Sequence, residues 1–191
     1  YCSACVANNR SNVESASSPG YQGWSVRSCG SPTSARSNAV ESAARLGVYS
    51  VSFHLSGGAG MLKCAASVKK GMRLWGITVL TGFDEKSFAR AGFKSGIRRT
   101  VFALAGMGAR SGADGVVCSP LEAAAVKKRF GTALKIITPG IRLEGGGDDQ
   151  KRTMTPAGAA AAGADFIVVG RPILKARDPA AAVRDILEEL I

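Results

Sequence analysis

This chain is poor in the side chains that usually carry chemistry. It has a single histidine, His54, no lysine before Lys63 and no aspartate before Asp84. A metal centre built on several histidines is thereby excluded. Cys2-Ser3-Ala4-Cys5 has the spacing of a metal or redox pair, but no second such pair exists and a zinc site is not expected. The five cysteines are odd in number and scattered, so free thiols are expected in place of a disulfide framework. Aromatic residues make up only 6%, and no basic run has aromatics interleaved for base stacking. No nucleic-acid partner is therefore expected, even with a formal charge of +11. Nor does any stretch approach the ~20 apolar residues of a membrane span, and the amino terminus lacks the charged start and apolar centre of a signal peptide. A soluble, cytoplasmic protein with no membrane partner is expected.

What is present is 46% hydrophobic content, enough for one sizeable core. The basic groups Lys69-Lys70, Arg98-Arg99 and Lys127-Lys128-Arg129 read as solvated helix faces, on a surface that would attract a small phosphorylated molecule. Residues 1–37 differ from the rest. Serine recurs throughout, Pro19, Gly20, Gly23, Gly30 and Pro32 interrupt it, and no period of 2 or 3.6 is sustained, so a loop or disordered arm is expected. The chain begins at Tyr1 and not at a methionine, and is expected to be a fragment.

Residues 38–191 form the expected folded domain. Ala39, Val40, Ala43, Ala44 and Leu46 keep helical spacing up to Gly47, a suitable C-cap. Apolar, β-branched runs predict strands near residues 50, 77, 116, 136 and 167, with helical patterns between them. Ser119-Pro120, Thr155-Pro156 and Asp178-Pro179 each place a capping side chain before a proline suited to the first helical position. Glu122 is expected to complete a capping box with Ser119. Such alternation calls for a parallel sheet, and short spacings with polar residues at strand ends favour a (β/α)8 TIM barrel over a doubly wound sheet. About five of the eight βα units are recognisable, so the barrel is expected to be incomplete.

The most informative stretch runs from Lys135 to Pro172. Ile136 and Ile137 give way to Thr138-Pro139-Gly140, which puts Arg142 just past a strand's carboxyl end. Ile167, Val168 and Val169 stop at Gly170, which does the same for Arg171. Two cationic side chains and a glycine-rich loop thus meet on the edge of the sheet where α/β proteins bind anions.

The segments AARLGV, FHLSGGAGML, ITVLT, DGVVCSPLEAAAV, IITPGIR, GDDQKRTMTPAGA and DFIVVGRPI, in this order from Asn38 onward, resemble orotidine 5'-phosphate decarboxylase. The resemblance implies a barrel enzyme, a carboxy-lyase, that converts orotidine monophosphate to uridine monophosphate in pyrimidine biosynthesis without a cofactor, as a homodimer. It implies that Gln150, Gly170 and Arg171 bind the phosphate, that Thr81 meets the pyrimidine ring, that Arg142 is a further substrate contact, and that Gly145 to Asp149 belong to a loop closing over the phosphate. The family stabilises its carbanion with a lysine held between aspartates, in Asp-x-Lys-x-x-Asp. Here that place is taken by RSCGSPTSARS, and no catalytic residue is assigned. Residues 1–37 are accordingly read as an out-of-frame or otherwise foreign stretch. Two alternatives remain: a catalytically silent relative that binds nucleoside monophosphates, and a sugar-phosphate decarboxylase of the same superfamily, which TPGIR and GDDQKR disfavour. His54 is expected to be a neutral histidine packed beneath the barrel rim, and Lys63 a solvated helix side chain.

Overall fold

The computed structural model describes residues 4–7, 32–143 and 152–190, with side chains from Ala39 onward. Its first strand, β1 (Ala4–Ala7), is followed by helix α1 (Pro32–Arg45) and strand β2 (Ser50–His54). A single 3-10 turn at Leu55–Gly57 leads into α2 (Gly58–Val68), β3 (Arg73–Ile77), α3 (Glu85–Arg90), α4 (Ile97–Arg110) and β4 (Gly115–Val117). The chain continues through α5 (Pro120–Phe130), β5 (Lys135–Thr138), α6 (Pro156–Ala161), β6 (Phe166–Val169), α7 (Arg171–Leu174) and α8 (Pro179–Glu188). All the strands expected from Ser50 onward are found. The order across the sheet is β1-β6-β5-β4-β3-β2, and β2 to β6 pair in parallel with their sequence neighbours. Parallel strands laid down in sequence order, each followed by helix, are the arrangement of a β/α barrel and not of a doubly wound sheet. Among the described residues the sheet ends at β2 on one side and at β1, antiparallel to β6, on the other, so the barrel they form is open.

Curvature shows in the side chains. Trp75 of β3 reaches Phe166 of β6 with ring centroids 5.6 Å apart, although β4 and β5 lie between those strands. Gly115 makes this possible: a Cβ there would meet Trp75 Cε3 at 2.8 Å, Ile137 Cδ1 at 2.8 Å and the Lys135 carbonyl oxygen at 2.7 Å. The opposite face of the sheet carries the main core, where Leu55, Leu62, Phe88, Val101, Val116, Val126 and Ile136 pack together.

The amino-terminal ends of the strands carry a repeated clamp. Asp114 accepts from the Leu74 N–H (2.8 Å) and from Lys69 Nζ (2.7 Å). One βαβα unit later, Asp165 accepts from the Ile136 N–H (2.9 Å) and from Lys127 Nζ (2.7 Å). Each aspartate is introduced by Gly-Ala, with Gly112 and Gly163 at φ +92 and +84, a conformation that costs glycine little. Burial pushes the Asp165 carboxyl up, but hydrogen bonds from Lys127, the Ile136 N–H and Lys135 outweigh it and hold the carboxyl below its usual range. A group whose folded value is depressed stabilises the fold above its unfolded value, about 3.9 for Asp, and loses that contribution as pH falls through the folded value. Asp165→Asn is therefore expected to lower stability at neutral pH by about 1 to 2 kcal/mol, and to flatten the fall in Tm on acidification below about pH 4. Thermal melts of both proteins across that range check this.

Several expectations are corrected. Helix α1 begins at Pro32, inside the segment read as loop, and Ala4–Ala7 is a strand. No acidic residue marks the first turn of α1 and its sequence is polar on average, so the usual helix-start pattern is missing. Helix α1 does end as expected, with Gly47 at φ +71 and its N–H donating to the Ala44 carbonyl. His54 is exposed rather than packed, because β2 is the edge strand on its side of the open barrel. Lys69 and Lys127 are drawn into the aspartate clamps, and Arg98 and Arg129 lie over the Phe102 ring at 6.0 and 5.6 Å, so those basic groups are only partly solvated faces. Lys63 is exposed on α2 as expected.

Candidate functional site

The carboxyl ends of β3, β5 and β6 position the candidate side chains. Strands β5 and β6 pair through Ile137 with Phe166 and Thr138 with Ile167, so the turn after each opens at the same edge. After β5, Pro139 and Gly140 turn the chain, Gly140 at φ +82, and the segment Gly140–Arg142 is fastened to the returning strand-like stretch at Met154. Arg142 N–H donates to the Met154 carbonyl (2.9 Å), and Met154 N–H donates to the Gly140 carbonyl (3.2 Å). The half-buried Arg142 guanidinium folds back on its own chain, donating to the Ile141 carbonyl at 2.7 Å. After β6, Gly170 is the N-cap of α7 and Arg171 its first residue, followed by Pro172. A Cβ on Gly170 would meet no described atom within 4 Å. Gln150 and the segment Gly145 to Asp149 lie outside the described residues.

Thr81 lies in the segment that follows β3, 7% exposed, in a turn closed by the Phe83 N–H donating to the Leu80 carbonyl (3.2 Å). That carbonyl also accepts from Arg152 Nη2 at 2.9 Å. Arg152 Nη1 meets both Glu122 oxygens, at 2.7 and 2.8 Å, and both side chains are almost fully buried. Glu122 therefore does not complete the expected capping box. Ser119 caps α5 by accepting from the Leu121 N–H, and the carboxylate that would have reached back turns instead to Arg152. A guanidinium offers the carboxylate a charge-assisted bond, which is stronger than one from the neutral N-cap amide. Thr155 and Asp178 cap α6 and α8 as expected, accepting from Gly158 N–H and from Ala180 and Ala181 N–H.

The sequence reading missed Arg152 as a structural centre, although it lies in the quoted GDDQKR stretch. Its partners are 30 and 72 residues away, so no local spacing could have found them. Next to this cluster, the Cys118 thiol is pushed up to about 12, first by burial, then by the Glu122 carboxylate, with Arg152 partly opposing. A thiol held protonated in this way is no nucleophile at neutral pH.

These features define an incomplete β/α barrel with cationic and hydroxyl side chains gathered at the carboxyl ends of its strands. The sequence model of the orotidine 5'-phosphate decarboxylase / HUMPS family matches residues 34–186, and the chain belongs to that family. It is 47% identical to orotidine 5'-phosphate decarboxylase of Halorhodospira halophila over 80% of this chain and 66% of that protein. It is 42% identical to the Neisseria gonorrhoeae protein of the same name over 78% of this chain and 63% of that protein. The chain thus spans just under two thirds of the length of these relatives. The corresponding protein of Chromobacterium violaceum is 39% identical over 97% of this chain and 77% of its own. Among solved structures, orotidine 5'-phosphate decarboxylase from Lactobacillus acidophilus superposes with a TM-score of 0.72 at 32% identity, over 83% of this chain and 70% of that one.

Proposed function

We propose that this chain is the nucleotide-gripping part of an orotidine 5'-phosphate decarboxylase. The observation that carries the reading is the pairing of β5 and β6, which brings the turn with Arg142 beside the turn with Gly170 and Arg171. Arg171 would supply a charge-assisted fork to the phosphate of orotidine or uridine monophosphate, and Gly170 would let the phosphate approach the backbone. Gln150 would add a further phosphate contact. Thr81 would offer its hydroxyl to the pyrimidine ring and Arg142 would sit alongside the substrate. In such an enzyme, energy from the remote phosphate contacts goes into orienting the ring at the reacting carbon. No cofactor is required by this scheme. The protein would act in the cytoplasm, as a homodimer.

The reading is tested by titrating uridine monophosphate into the chain and into Arg171→Ala. A loss of about 2 to 4 kcal/mol in binding is expected for the variant, and unchanged affinity would remove the phosphate assignment.

A second reading is favoured by one observation, the absence of any lysine before Lys63 and any aspartate before Asp84. Without an ammonium to stabilise and protonate the ring carbanion, the chain would bind nucleoside monophosphates and leave them unchanged. The loss of orotidine monophosphate absorbance separates the two: turnover well above a mock preparation rejects the silent binder.

A further inference from the structure

We propose that Arg152 is a positioning residue that fixes Thr81 for the pyrimidine end of the nucleotide, acting through the Leu80 carbonyl. The inference rests on the nucleotide reading above and adds to it a residue that touches no substrate. Thr81 occupies the second position of the Leu80 to Phe83 turn, and the carbonyl that closes that turn is held by two donors, the Phe83 N–H at 3.2 Å and Arg152 Nη2 at 2.9 Å. The first donor is an ordinary turn bond and would be present in any chain of this local shape. The second comes from a residue 72 positions away in sequence, where the chain returns towards α6.

The guanidinium cannot drift, because its other amino group is fixed by both oxygens of Glu122 at 2.7 and 2.8 Å. Glu122 in turn belongs to the first turn of α5, which Ser119 and Pro120 start rigidly. Planarity makes this work. One guanidinium presents donors in fixed directions, so a carboxylate on one side and a carbonyl on the other are held at a set separation. The cluster is shielded from water, with side-chain exposures of 8% for Arg152 and 10% for Glu122, so its geometry is not softened by exchange with solvent. Arg152 therefore joins three strand ends: β3 through Leu80, β4 through α5, and β5 through Met154 two residues on. A site assembled from different strand ends needs such a tie if its two ends are to stay in register.

The test uses two ligands, uridine monophosphate and ribose 5-phosphate, the second lacking the ring that Thr81 would meet. Two variants remove the bond to Leu80 without stranding a buried charge. Arg152→Lys keeps the cation against Glu122, and Arg152→Met with Glu122→Leu removes both charges together. Each is expected to weaken uridine monophosphate by about tenfold while changing ribose 5-phosphate by less than about twofold. Thr81→Val is expected to reproduce that pattern. Combined with Arg152→Lys it should weaken uridine monophosphate no further, since both changes remove one contact. Additive losses in the combined variant, or equal losses for the two ligands, would overturn the positioning role. A wild-type chain that binds no uridine monophosphate overturns the nucleotide reading itself, and with it this inference, before any substitution is compared.

Discussion

Arg152→Met alone is expected to destabilise the fold by about 3 to 5 kcal/mol, a large part of the 5 to 15 kcal/mol that typically separates folded from unfolded domains. The reason lies in what remains. Glu122 stays buried on the first turn of α5 with no cation opposite it, and the Leu80 carbonyl keeps only its turn partner. A carboxylate taken out of water without compensation is far costlier than the pair was favourable, since the pair's attraction had mostly repaid the desolvation of its two members. Replacing both residues, Arg152→Met with Glu122→Leu, is therefore expected to cost clearly less than Arg152→Met alone. Denaturant unfolding of the wild type, both single variants and the double variant closes the cycle. A double variant as unstable as the sum of its parts would show that the two side chains act independently.

This pair also marks how far the sequence could be read. Strand ends were legible because the information is local: Ile136 and Ile137 stop at Thr138-Pro139-Gly140, and Val168 and Val169 stop at Gly170, within a few residues each. Caps were legible for the same reason, since Ser119, Thr155 and Asp178 bond to N–H groups two or three residues away. Glu122 has the right spacing for a capping box, and a local rule can find nothing else for it. The rival partner is Arg152, which only the closed fold brings near, and the desolvated ion pair prevails over the cap. A capping box does form elsewhere, between Asp84 and Ser87, three residues apart. His54 illustrates the opposite error. A histidine at a strand end is expected to pack beneath the barrel rim, yet no strand lies beyond β2 among the described residues and His54 is exposed. The candidate site was legible as a set of strand-end residues. How Thr81 is held was not, because the bond runs from one strand end to another.

Leu55→Ala is expected to cost about 3 to 5 kcal/mol, in the upper part of the range for large-to-small changes in a core. Leu55 is completely buried where β2 turns into α2, and it fills the space left by two glycines. A Cβ on Gly76 would meet the Leu55 side chain at 2.6 to 2.9 Å, and a Cβ on Gly108 of α4 would meet it at 3.5 Å. One leucine thus packs directly on the backbone of β3 and closely on that of α4, and its loss leaves a cavity that neither backbone can move to fill. The same geometry makes Gly76→Ala harmful by the opposite route: the added methyl overlaps the fully buried Leu55, at a cost of about 1 to 3 kcal/mol. Combining the two changes supplies a methyl where a methyl-lined void has been made. The double variant is accordingly expected to be more stable than the sum of the two losses predicts, and at least as stable as Leu55→Ala alone. Urea unfolding of the four proteins measures the coupling, and strict additivity would mean that Leu55 does not rest on the Gly76 backbone. Because β3 runs from this contact to the Thr81 turn, the variant that opens the cavity is also expected to weaken uridine monophosphate binding more than ribose 5-phosphate binding.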